Sequence, residues 1–75
     1  MKQYGKVLTY DGYVGNIIDS KGIKYIFTTK DLKDKKIFEG DFVSFNVEIF
    51  ETVEIKEYTA RFITKVVEDK KESIN

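Results

Sequence analysis

Asp19-Ser20-Lys21-Gly22-Ile23-Lys24-Tyr25-Ile26-Phe27-Thr28-Thr29 decides the fold class of this chain. Its first four residues are turn formers. The rest are β-branched or aromatic except for Lys24, which marks a strand that leaves a turn. Strict alternation sets Tyr25 and Phe27 on one face and Lys24, Ile26 and Thr28 on the other. The first pair is expected to be buried and Ile26 more exposed.

The same signal extends in both directions. Upstream lies Tyr13-Val14-Gly15-Asn16-Ile17-Ile18, whose internal glycine suggests a bulge or sharp bend. Asp11-Gly12 is a tight-turn dipeptide, and Lys6-Val7-Leu8-Thr9-Tyr10 precedes it as a first strand. Downstream, Lys30-Asp31-Leu32-Lys33-Asp34-Lys35-Lys36 is too polar and short for a packed helix. A loop with one helical turn is expected, with Leu32 pinned under the sheet. Phe38-Glu39-Gly40-Asp41 leads back into a fourth strand from Phe42, with Val43, Phe45, Val47 and Ile49 on one face and Ser44, Asn46 and Glu48 on the other. Val53 and Ile55 continue that alternation, but no Gly, Pro or Asn marks the turn. A last strand runs from about Thr59 to Val67, with Ala60, Phe62, Ile63 and Val66 as its core residues. At least one of Gly15 and Gly40 is expected to take a backbone conformation closed to other residues.

The chain therefore reads as all-β: one small five-stranded antiparallel barrel over residues 1–67, with a polar tail at 68–75. Barrel closure hides strand edges that would otherwise aggregate. An SH3-like barrel meets the same list of elements, and composition does not separate the two.

Composition narrows the chemistry. A chain of 75 residues allows one domain, and 41% hydrophobic residues with six Phe and five Tyr suffice for a core. The absence of Cys and His removes disulfides, thiolate sites and the commonest general base. No apolar run approaches a membrane span. Met1-Lys2-Gln3-Tyr4-Gly5 lacks the apolar core of a signal peptide, so a cytoplasmic protein is expected. Net charge is zero, yet residues 1–36 hold eight Lys against four Asp, while residues 37–75 hold five cations against nine acids. Gly12-Tyr13-Val14-Gly15 lacks the Lys-Ser/Thr of a phosphate loop. Asp31, Asp34, Glu39 and Asp41 lack the spacing of a calcium loop. Ser20, Ser44 and Ser73 have no His to activate them. The chain reads as non-enzymatic, without catalytic residues, cofactor or metal.

The order of the motifs resembles the bacterial cold-shock domain, a five-stranded OB-type barrel. Gly5-Lys6-Val7-Leu8-Thr9-Tyr10 is similar to that family's first strand, Gly-x-Val-Lys-Trp-Phe. Val14-Gly15-Asn16-Ile17 stands where the family has Phe-Gly-Phe-Ile, and Tyr25-Ile26-Phe27-Thr28 where it has Val-Phe-Val-His. Glu39-Gly40-Asp41-Phe42-Val43-Ser44-Phe45 resembles Glu-Gly-x-x-Val-x-Phe, and Ala60-Arg61-Phe62-Ile63 resembles the final Ala-x-x-Val. The resemblance covers residue 5 to about residue 66.

That family binds single-stranded RNA or DNA on exposed aromatics of its first three strands. Here Thr9, Val14, Asn16, Ile26 and Thr28 occupy those positions, and Leu8 replaces a common Lys. The resemblance implies weak nucleic-acid binding, with Lys6, Lys24 and Lys30 near phosphates and Tyr13 or Phe38 stacking bases. The alternative is a protein-interaction or self-association module in which Leu8, Val14 and Ile26 form an aliphatic contact patch. What separates the two is whether those three side chains face outward together, and what charges flank them.

Overall fold

The computed structural model describes residues 2–67; the proposed tail at 68–75 lies outside them. Five strands follow in order: β1 (Lys2–Tyr10), β2 (Val14–Ile18), β3 (Lys24–Thr28), β4 (Phe42–Glu51) and β5 (Lys56–Lys65). A single 3-10 turn at Thr29–Asp31 follows β3. The sheet closes on itself in the order β1-β2-β3-β5-β4.

The sheet is mixed, which corrects the expectation of a purely antiparallel barrel. β3 meets β5 in parallel at Ile26 and Thr59, and the other pairings are antiparallel. The reason is parity: strand directions can alternate around a closed ring only if the number of strands is even. Five strands leave one seam parallel. Leu32 adds a parallel bridge to Ile63 beside it, and it is buried there as its apolar side chain requires.

The core follows the alternation. Val7, Ile17, Tyr25, Phe27, Val43, Phe45, Ala60 and Ile63 point inward, joined by Leu32 and Ile37 from the long connection. Tyr25 packs against Phe45 and Phe27 against Tyr10, with ring centroids 4.9 and 5.3 Å apart. Ile26, between the two buried aromatics, is exposed. Gly15 does not bend with a positive φ. It is a close-approach site, where an added Cβ would lie 2.3 Å from the Thr9 carbonyl oxygen. Of the two, Gly40 takes the positive-φ backbone, at φ +93°.

Turn chemistry is local. Asp11 Oδ1 accepts the N–H groups of Tyr13 and Val14, which holds its carboxyl below the usual range. Asp19 is buried at the β2–β3 turn. It accepts the Tyr25 hydroxyl at 2.8 Å and the N–H groups of Lys21 and Ile23. Burial opposes its ionisation, but these donors outweigh burial and lower its pKa. Burial, and then the Asp19 contact, raise that of Tyr25.

Two residues expected in the core, Phe62 and Val66, are exposed, and so is Ile49 at the far end of the face it shares with Val43 and Phe45. Ile49 keeps the inward parity of β4, but past Asn46 that strand pairs with β5 alone among the described residues, and Val47 is the last of its inward residues packed on the core. Phe62 sits where the β4–β5 register shifts, at φ +54°. This bulge turns its ring outward while returning Ile63 to the core. Val66 lies one residue past the end of β5.

Candidate nucleic-acid interface

Register aligns four outward residues in one row across four strands. Lys24 on β3 is opposite Ile18 on β2, Ile18 opposite Lys6 on β1, and Lys6 opposite Phe42 on β4. Neighbouring strands lie about 4.8 Å apart, so the two lysines stand roughly 10 Å apart at their backbones, with an apolar residue between them. Neither makes an ion pair among the described residues. The Lys6 ammonium lies 5.8 Å from the centroid of the Phe42 ring.

This row borders an apolar groove of about 780 Å³ whose lining includes Tyr4, Lys6, Ile18, Phe42, Val43 and Val66. The rings of Tyr4 and Phe42 are both exposed. They are diagonal neighbours across β1 and β4, because Tyr4 is opposite Ser44 and Phe42 opposite Lys6. Asp19 also borders the groove, but its carboxylate is occupied by Tyr25 and the turn N–H groups.

Beside the row, on the same outer face, lie Thr9, Val14, Asn16 and Ile26. Asn16 donates its side-chain N–H to the Thr9 hydroxyl at 3.2 Å. Val14, Asn16 and Ile26 line a shallow depression of about 220 Å³. Its margin is acidic: Asp11 and Glu39 also line it, and Glu39 accepts the Tyr10 N–H. Leu8, Val14 and Ile26 are 42, 49 and 41% exposed, so all three face outward. Val14 and Ile26 share the depression, whereas Leu8 sits at the β1 bulge between Val7 and Thr9.

The residues singled out from sequence do not form one cluster. Lys6 and Lys24 share the row. Tyr13 and Lys30 lie at the opposite end of the face, where Thr29 donates its N–H to the Tyr13 carbonyl at 3.0 Å. Phe38 is in the connection before β4, fixed by its N–H to Asp41 Oδ2. Neither a scan against protein-family models nor a search of curated proteins returns a match to this chain. The acids of that connection are committed locally. Asp31 accepts the Thr28 N–H and pairs with Arg61, Asp34 accepts the Lys36 N–H, and Asp41 pairs with Lys65.

Tyr4 and Phe42 were missed as surface residues. The signal was present as parity: Phe42 shares the face of Ser44 and Asn46, not that of Val43 and Phe45. Tyr4 likewise shares the parity of Lys6.

Proposed function

We propose that this barrel is of the OB type and that the chain is a non-enzymatic, cytoplasmic module, bacterial in kind, that binds single-stranded RNA or DNA weakly. Strand order β1-β2-β3-β5-β4 with one parallel seam supports the OB reading, as does the motif order that resembles the cold-shock domain. The observation that carries the functional reading is the row Lys24–Ile18–Lys6–Phe42 with Tyr4 beside it. Two cations that make no ion pair among the described residues approach phosphates, and two exposed rings accept bases. The stacking surface has shifted from the first three strands to the β1–β4 seam, so Lys6 serves both the original face and the new groove.

Magnitudes favour binding over the resting contact. Base–aromatic stacking contributes about 1–3 kcal/mol, whereas the exposed Lys6–Phe42 cation–π contact it displaces contributes about 0.5–1 kcal/mol. Lys6 is then free for a phosphate. Tyr13, Lys30 and Phe38 extend the path of a strand instead of forming its centre. Fluorescence anisotropy with labelled mixed-sequence single strands at low salt tests the reading. Wild-type protein binds, Phe42→Ala binds more weakly at an unchanged salt slope, and Lys6→Gln flattens the slope. Absence of binding at low salt refutes it.

A second reading has its own observation. Leu8, Val14 and Ile26 expose an aliphatic patch with an acidic margin, which suits a protein partner or a second copy of the chain. It predicts that Ile26→Lys abolishes self-association or partner capture while leaving the fold intact.

A further inference from the structure

Beyond Asn46, β4 pairs with β5 alone among the described residues. Val47–Ala60 and Glu48–Thr59 still belong to the barrel, where Thr59 meets β3, and Ile49–Tyr58, Phe50–Glu57 and Glu51–Lys56 run past that seam as a two-stranded arm. The Phe42 carbonyl accepts a hydrogen bond from Val66, and the Thr52 N–H donates to Ile55, so even-numbered positions of β4 hydrogen-bond towards β5. Alternation then turns the backbone groups of Ile49 and Glu51 to the other edge. The pairing of β1 with β4 extends to Lys2 opposite Asn46 and does not include them. Among the described residues this edge is unpaired, a template for a further strand.

The side chains flanking that edge indicate what would pair there. On one face Phe50, 57% exposed, lies between Glu48 on its own strand and Glu57 opposite. A Lys or Arg stem can lie on that ring while its charge meets the two carboxylates. On the other face Ile49 is exposed opposite Tyr58, while Ile55, opposite Thr52, adds apolar surface at the tip of the Phe50 face and Val53 is exposed in the turn. From Glu48 to Glu57 the arm holds four Glu against one Lys. Phosphates are repelled by that charge, and two copies would place like-charged arms side by side.

We infer that the β4 edge of this arm docks an extended protein segment that alternates Lys or Arg with aliphatic residues, by strand addition. Main-chain hydrogen bonds give the attachment, and the two faces give specificity with period two: basic residues over Phe50 and aliphatic ones beside Ile49. This surface is separate from the nucleic-acid groove and does not depend on that reading.

The test uses the full chain in an amide chemical-shift titration with a synthetic peptide of alternating Lys and Val. The control is a peptide of the same composition with all Lys in one block. Expected are shifts and slowed hydrogen exchange at Ile49 and Glu51, and weaker binding of the block peptide. Phe50→Ala should weaken binding about tenfold, as loss of a desolvated cation–π contact would, and Glu57→Lys should weaken it further. A circular-dichroism melt checks that both variants keep the barrel. The inference is overturned if the alternating peptide does not bind at low salt or the block peptide binds equally well. It is also overturned if shifts fall outside the arm or the arm self-associates.

Discussion

Replacing Gly15 with Ala tests how closely the barrel wall is packed. Gly15 sits in β2 between Tyr10 of β1 and Phe27 of β3. Its φ is not in the positive range, so the backbone itself accepts Ala. Space does not. The new Cβ would lie 2.3 Å from the Thr9 carbonyl oxygen and 2.6 and 2.8 Å from Phe27 Cζ and Cε1. The oxygen is main chain, and the Phe27 ring is buried against Tyr10, so neither partner yields easily. Overpacking of this kind costs about 1–3 kcal/mol, occasionally more, and the main-chain contact puts this site at the upper end. In a domain of this size each kcal/mol shifts Tm by roughly 4–8 °C, so Gly15→Ala should lower it by about 10 °C or more. The added variant Phe27→Leu removes two of the three contacts at its own cavity cost. Its penalty in the Gly15→Ala background should therefore be smaller than in wild type. Urea titration by tyrosine fluorescence measures all four corners of this cycle. A wild-type midpoint for Gly15→Ala, or strict additivity in the cycle, would refute the packing argument.

Gly40→Ala should also destabilise, by about 1–2 kcal/mol, although nothing lies within 4 Å of its added Cβ, because only its left-handed backbone is at fault; Asn should be milder in the same melt. Phe62→Gly should relieve the same kind of strain at φ +54° and raise Tm without loss of core. Asp19 has a lowered pKa, so its contribution is complete above the unfolded value near 4 and is lost as pH falls through the lower folded value. Tyr25→Phe removes a donor to that carboxylate, so the acid limb of stability should move to higher pH in a melt series. Val14→Phe, Asn16→Phe and Ile26→Phe together should rebuild a stacking platform and strengthen single-strand binding by up to a few kcal/mol, with an unchanged salt slope because no charge is added.

The barrel was legible because its core is written with period two. Tyr25, Phe27, Val43, Phe45 and Ile63 needed only alternation and turn residues to be placed. Three features escaped that reading for identifiable reasons. The parallel seam follows from the parity of five strands, which no single stretch of sequence displays. The bulge that exposes Phe62 adds one residue to β5, and alternation read from Thr59 loses phase there. The arm escaped because its turn carries no Gly, Pro or Asn. Thr52 does that work instead, its hydroxyl accepting the N–H groups of Glu54 and Ile55. The candidate site was half legible. Lys6 and Lys24 were named through the resemblance, but their row needs the cross-strand register, and Phe42 joins it only through β4 pairing with β1.

The most direct test of single-strand binding is an amide chemical-shift titration of the full chain with a short mixed-sequence single strand at low salt. The account predicts shifts centred on Lys24, Ile18, Lys6, Phe42 and Tyr4. They should fade as salt rises, with log affinity falling by about 0.7 per phosphate contact for each unit of log salt. An unchanged spectrum, or shifts confined to the acidic arm from Glu48 to Glu57, would contradict it.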